Sequence, residues 1–271
     1  MSSLAAPRTR RRPAVRPFPL RTGVAEVTAV APLTPRMARV TFAAPSLAGF
    51  PVEQPGEIVT LIWPEPGGDL VLPERGWRFP AGVPEPHARN YTVRDLDADA
   101  GTLDVDFVLH GDHGVASAWA QRARPGDRLG FAGPRTHWEP ADDGSAWTLL
   151  VADETGLPAL AAIAATLPAF HRAIAVIEVA DGAERQPIAC PGRLDVHWVH
   201  RDGAAAGETH ALADAVRALP LPDGRGRAWG AGESGVMRAV RDHLRDERGL
   251  PRSALQVLGY WKHDATREWT R

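Results

Sequence analysis

In the stretch RNYTVRD, Arg89 to Asp95, two arginines and a tyrosine stand between a proline-rich loop, FPAGVPEPHA, and an alternating apolar segment, LDVDFVL. Successive side chains of an extended chain point to opposite faces, so Arg89, Tyr91 and Val93 share one face and Asn90, Thr92 and Arg94 the other. A guanidinium and a phenol then stand side by side. The planar fork of arginine donates paired, charge-assisted hydrogen bonds that suit a diphosphate, and a tyrosine ring can lie along an isoalloxazine. The plainer reading is an edge strand with a solvated arginine and a half-buried tyrosine. Arg94 is assigned to that plainer role, facing outward or pairing with Asp95. Thr92 reaches the same ligand as Tyr91 only if the strand bends there.

A second cluster follows in HGDHGVASAW, where Gly111 and Gly114 precede a helix start carrying Val115, Ala116 and Ser117. Small residues let a ligand approach the backbone, free N–H groups at a helix start attract phosphate oxygens, and Ser117 can add a hydroxyl. His110 and His113 lack a third ligand at metal spacing, which argues against a zinc site. Further on, VADETGLPAL gives strand, turn and helix without the G-x-G-x-x-G of dinucleotide folds. AWGAGES places Gly230, Gly232 and Glu233 where a strand meets a helix, either as a nucleotide site or as a tight turn that needs glycine. Trp229 is read as core.

These residues need two kinds of scaffold. VAEVTAV (24 to 30), MARVTFAA (37 to 44), EIVTLIW (57 to 63) and LDVDFVL (103 to 109) are short strands separated by turn residues, with one short helix after them. That pattern predicts a closed antiparallel barrel. In LDVDFVL the residues Leu103, Val105, Phe107 and Leu109 form one face, and Asp104 and Asp106 the other. After the polar connector EPADDGSA, strands alternate with helices: WTLLVAD, PALAAIAATL, AIAVIEV, LDVHWV, ETHALADAVRAL, RAWGAG, ESGVMRAVRDHLRDERG and LQVLGYW. Such alternation predicts a parallel sheet with covered faces, and Gly249 with Pro251 closes the last helix. Arg201, after the strand ending in WVH, either meets a 2′-phosphate or is a solvated loop residue.

The 271 residues are 44% apolar and 24% charged, with a formal net charge of -2, so no basic field points to nucleic acid or an acidic membrane. Positive charge is concentrated in RTRRRPAVRP, read as a solvated arm without packed structure. No apolar run of export-signal or membrane length follows it, and the single Cys190 suits a reducing compartment, so a cytoplasmic monomer is expected.

Taken in order, RNYTVRD, DFVLHGDHGVASAWA, PGDRLGFAGPR, VADETGLPAL, AWGAGE and GYWK resemble the siderophore-interacting protein family of flavin-dependent ferric-chelate reductases over roughly residues 20 to 265. The resemblance implies a ferredoxin-reductase-like fold, with a basic arm at 1–19, a six-stranded Greek-key FAD barrel at 20–138 and an NAD(P)H-binding α/β domain at 146–271. It implies that Arg89, Tyr91 and Thr92 hold the FAD diphosphate and isoalloxazine. Val108, His110, Gly111 and the turn Gly114-Val115-Ala116-Ser117 would line the flavin and its phosphates. On the nucleotide side it implies Asp153, Glu154, Thr155, Gly232 and Glu233; near the flavin, Tyr260 and Trp261; toward an anionic ferric chelate, Lys262 and Arg135.

Three departures from the family pattern carry expectations. Val115 stands where the family has proline, which leaves φ less firmly set. Gly156 follows the D-E-T turn, which predicts a looser helix start, and Lys262 replaces a frequent arginine, which removes bidentate recognition. The implied reaction takes electrons from NADPH or NADH through FAD to Fe(III) in a siderophore. Reduction frees the metal, because hard oxygen ligands hold Fe(II) loosely. Two rival readings are reduction by a ferredoxin, with the α/β domain a vestige, and a colourless siderophore-binding protein without turnover.

Overall fold

The computed structural model describes residues 21–50, 52, 54–65, 67–74, 77–112, 114–135 and 144–263. The expected basic arm, the end of the expected barrel at 136–138, most of the connector and His113 lie outside them. Among the described residues of the first half are seven antiparallel strands, β1 (Arg21–Thr34), β2 (Met37–Ala43), β3 (Ile58–Ile62), β4 (Ala88–Thr92), β5 (Asp95–Asp97), β6 (Thr102–Val108) and β7 (Arg128–Arg135), with helix α1 (Val115–Ala120) before β7. Their order, β4-β3-β7-β1-β2-β6-β5, puts β7 between β3 and β1, so the chain crosses over instead of meandering. Six main strands match the expectation; β5 is an added strand of three residues.

The barrel closes just after β4. Val93 N still donates to Glu57 O on the β3 side at 2.8 Å, whereas Arg94 N donates to Asp104 O of β6 at 2.9 Å. The chain therefore passes from pairing with β3, which ends at Thr92, to pairing with β6, which starts at Asp95, and successive amides point to opposite neighbours as in any extended segment. Leu103, Val105 and Phe107 of β6 are buried with Phe42, Leu61 and Phe131, as their alternation predicts. The opposite face is not simply solvated. Arg39 Nε and Nη2 donate to the two oxygens of Asp106 at 2.7 and 2.9 Å, and Arg94 Nε approaches Asp106 at 3.7 Å. Arg94 thus lies on the face opposite the core, as expected, but approaches Asp106 and not Asp95, whose side chain accepts from Leu96 N.

The second half has β8 (Trp147–Ala152), α2 (Leu157–Ala164), β9 (Arg172–Val179), β10 (Arg193–His200), α3 (Ala211–Ala218), β11 (Gly226–Glu233), α4 (Ser234–Asp246) and β12 (Leu255–Trp261). The five strands are parallel in the order β10-β9-β8-β11-β12. Strand order reverses between β8 and β11, the place where open α/β sheets bind ligands. β9, RAIAVIEV, is buried from its second residue on because both faces are covered. Helix α4 buries Val236, Met237, Val240 and Leu244 along one stripe, and Gly249 beyond it has φ 71°, the left-handed stop expected there. Among the described residues no helix is long and apolar enough to cross a membrane.

The two halves share packing. Met37, at the tip of the β1–β2 hairpin, belongs to the apolar cluster of Leu150, Leu157 and Ile163 in the α/β half. Thr34 Oγ1 and Arg36 N both donate to Glu184 Oε2, at 2.5 and 3.3 Å. Helix α2 is apolar nearly all round because the sheet covers one side while the backbone at Gly56 faces Ala159 and Ile163 on another.

Candidate functional site

Tyr91 stands opposite Val59 on β3, half-buried, with its ring centroid 4.5 Å from Phe107 and 6.3 Å from Trp63. One side of the ring is thus backed by aromatic core. Arg89 is exposed, and among the described residues its side chain makes one hydrogen bond, from Nη1 to Ala88 O at 2.8 Å. Thr92 is buried beside the hydroxyl of Tyr260, which approaches from the end of β12, is itself buried and has no well-shaped hydrogen bond among the described residues. Barrel and α/β half therefore meet where β4 ends and β12 ends. Arg135 does not join Tyr91; its Nη2 donates to Asn90 Oδ1 and Thr60 Oγ1, both at 2.6 Å, on the neighbouring face of β4.

The turn before α1 is closed from inside. Ser117 Oγ accepts from His110 N at 2.9 Å and donates to Gly111 O at 2.8 Å, and the residue is 2% exposed. Its hydroxyl stabilises the loop and does not point outward, contrary to its expected role at a phosphate. Gly114, with φ 88°, caps the helix without a side chain, so the cap residue itself makes no side-chain bond to the first amides of α1. Gly111 is likewise left-handed, at φ 82°. Val108 faces the α/β core cluster, and Trp119 holds α1 on the barrel by packing near Phe42, Trp63 and Phe107.

On the other side, Asp153 is an internal hub. Its Oδ1 accepts from Thr155 N at 2.8 Å, Thr155 Oγ1 at 2.6 Å and Gly156 N at 3.3 Å. Its Oδ2 accepts from Glu233 N at 2.9 Å and Trp261 Nε1 at 2.8 Å. One carboxyl group thus ties together the turn after β8, the end of β11 and the end of β12. Burial pushes this carboxyl up from its ordinary range, and the bonds from Thr155 and Trp261 pull it back. Glu233 caps α4, accepting from Gly235 N and Val236 N at 2.5 and 2.8 Å, and its other oxygen accepts from His263 N. The amides that a phosphate would use at both turns are therefore already bonded to the protein's own carboxyl groups. Gly232 lies inside β11, where a Cβ would come within 2.7 Å of Asp153. Lys262 is exposed between Trp261 and His263, both of which are anchored.

Sequence reasoning missed two features here. Arg201 is neither solvated nor free for a phosphate: its Nη1 and Nη2 grip Glu154 at 2.7 and 2.6 Å, with Glu178 at 3.4 Å, and all three side chains are nearly buried. Gly156 tightens the turn instead of loosening it, because a Cβ there would lie 2.2 Å from Ala231 O of β11. Helix α2 can start this close to the next strand only on glycine. Gly156→Ala is expected to cost about 3 kcal/mol, the upper range of overpacking, as a lower urea midpoint.

The chain contains only two tyrosines, Tyr91 and Tyr260. Burial pushes both phenols up from 10, opposed at Tyr91 by Arg89, and Tyr260 reaches about 12. Because the folded state resists ionisation, the stability tied to these neutral phenols is whole below pH 10 and is lost as pH rises through 12. Tyrosinate absorbance should therefore stay flat through pH 11 and appear with alkaline unfolding. A half-titration near 10 in folded protein would contradict this burial.

The Siderophore-interacting FAD-binding domain matches residues 26–138. Escherichia coli NADPH-dependent ferric-chelate reductase is 30% identical over 229 residues, which cover 82% of this chain and 86% of that protein. The barrel with its α/β partner is an FAD-dependent oxidoreductase. The second half, residues 145–264, matches the domain described as Siderophore-interacting protein. Vibrio cholerae ferric vibriobactin reductase ViuB is 34% identical over 239 residues, 85% of each chain. A siderophore utilization protein from T. fusca, known from its crystal structure, gives a TM-score of 0.84 at 38% identity and covers 93% of this chain and 97% of its own. The chain belongs to the siderophore-interacting protein family.

Proposed function

We propose that the chain reduces ferric siderophores in the cytoplasm, as a monomer, with electrons that pass from a nicotinamide nucleotide through FAD. The observation that carries this reading is the junction at the end of β4. An aromatic-backed, half-exposed Tyr91 stands next to an exposed arginine fork, while Thr92 faces the buried hydroxyl of Tyr260 from the other half. These groups fit FAD: Arg89 and the glycine turn before α1 toward the diphosphate, Tyr91 and Tyr260 toward the ring system. When bound, FAD takes an electron pair as hydride and releases electrons singly, as two Fe(III) centres require. Exposed Lys262 and Arg135 would meet an anionic chelate as separate charges. The single cysteine, Cys190, suits a reducing compartment.

Anaerobic addition of NADPH or NADH to the flavin-loaded protein is expected to bleach its visible absorbance, and Fe(III)-citrate to restore it. Steady absorbance with both nucleotides, but bleaching by reduced ferredoxin, would overturn the choice of donor. A purified protein that binds no flavin would overturn the whole reading.

A further inference from the structure

We infer that Glu184 is a positioning residue, which holds the flavin side of the molecule in register with the donor side. The inference rests on the nicotinamide-linked reading above. Glu184 lies in the loop after β9, the second strand of the α/β half, where dinucleotide folds read the donor's adenosine ribose. The loop is preformed, since Asp181 accepts from Ala183 N at 2.8 Å. From it the buried carboxylate reaches across to the barrel and takes both Thr34 Oγ1 and Arg36 N on one oxygen. Next to it Gln186 Nε2 contacts Met37 Sδ at 2.9 Å.

The contact continues into the flavin turn. The residue whose amide meets Glu184, Arg36, accepts at its carbonyl from Leu109 N at 2.8 Å. Leu109 is followed by His110, whose amide is bonded to Ser117 Oγ at the start of α1. Hydrogen bonds of 2.8 to 3.3 Å, relayed through the backbone of Arg36 and of Leu109 and His110, thus join the donor loop to the glycine turn assigned to the flavin phosphates. Stability alone does not account for a carboxylate at this place. Glu184 is 1% exposed, and its second oxygen, Oε1, is buried without a partner among the described residues. A buried, half-satisfied acid is costly compared with an amide or an apolar side chain. What it provides is a fixed contact to both a hydroxyl and an amide of one hairpin tip. Hydride transfer requires the reacting atoms about 3–3.5 Å apart, and a misplacement of roughly 1 Å can cost about a hundredfold in rate.

Stopped-flow measurements on the flavin-loaded full chain separate this role from a merely structural one. In Glu184→Ala, bleaching by NADPH or NADH is expected to slow on the order of ten- to a hundredfold. Reoxidation of the dithionite-reduced variant by Fe(III)-citrate should stay within about twofold, since that step does not involve the donor loop. Glu184→Gln, which keeps an acceptor oxygen, should restore most of the bleaching rate. Thr34→Val removes only the hydroxyl contact and provides a milder variant should Glu184→Ala fail to fold. In flavin-free protein, hydrogen exchange at the Arg36 and Leu109 amides should speed up in Glu184→Ala and Thr34→Val. Unchanged bleaching in folded Glu184→Ala, whatever the exchange shows, or equal slowing of both half-reactions, would overturn the inference. Wild-type protein that neither nucleotide bleaches would instead overturn the reading on which it rests.

Discussion

Asp153→Ala is expected to lower the melting temperature by about 10 °C, because residue 153 is a buried hydrogen-bond hub. Five donors lose their acceptor at once: two amides of the turn after β8, the Thr155 hydroxyl, the Glu233 amide and the Trp261 indole. Each buried donor left unpaired costs about 1–3 kcal/mol, but water entering the vacated space offsets part of this, so a total of roughly 3–5 kcal/mol is expected. For a chain of this size each kcal/mol is worth about 2–4 °C. Asp153→Asn is nearly isosteric and should recover only part of the loss, because its NH₂ would point at donors. Thermal unfolding followed by circular dichroism checks both variants. An Asn variant as stable as the parent would mean that the carboxyl group is protonated and already offers a donor. Near-ultraviolet dichroism should also change, since Trp261 loses its anchor.

Arg89→Ala should behave in the opposite way, with an intact fold and a lost cofactor. The side chain is exposed and is bonded only to the carbonyl of its own neighbour, Ala88, so its removal is expected to shift stability by less than about 0.5 kcal/mol. If its fork holds the FAD diphosphate, the charge-assisted bonds lost are worth about 1.5–3 kcal/mol, or roughly ten- to a hundredfold in FAD affinity. Fluorescence titration of flavin into deflavinated protein measures this directly. Arg89→Lys should recover part of the affinity, because the charge remains but the fork does not. Unaltered FAD binding in Arg89→Ala would remove Arg89 from the site.

Both folding units were legible in the sequence because their signals are local. Alternation in LDVDFVL, near-continuous apolar character in AIAVIEV and the stripe of ESGVMRAVRDHLRD each follow from one periodicity. Where the chain hands over from β3 to β6 after Thr92 could not be read from the sequence. It depends on Asp104, whose carbonyl takes Arg94 N across the barrel seam. The least legible residues were those whose partner is remote in the chain. Arg201 looked like a loop residue because nothing near it signals Glu154, and Gly156 looked loose because Ala231 O is supplied by a different strand. Ser117, Asp153 and Glu233 illustrate a further limit. Their residue types suit a phosphate-binding turn, but the same hydroxyl and carboxyl groups satisfy the turn's own amides equally well.

The hub at Asp153 also has a consequence for biosynthesis. Its donors come from positions 155, 156, 233 and 261, so the last of them emerges from the ribosome long after the first. The seven described strands of the barrel are all synthesised by Arg135, so it can fold as a unit during synthesis, as N-terminal domains generally do. The junction between Thr92 and Tyr260 must wait for β12. A chain stalled or clipped before Trp261 would thus carry a finished barrel beside an unfinished α/β half, and proteolysis of nascent chains should show the two halves becoming resistant at separate lengths.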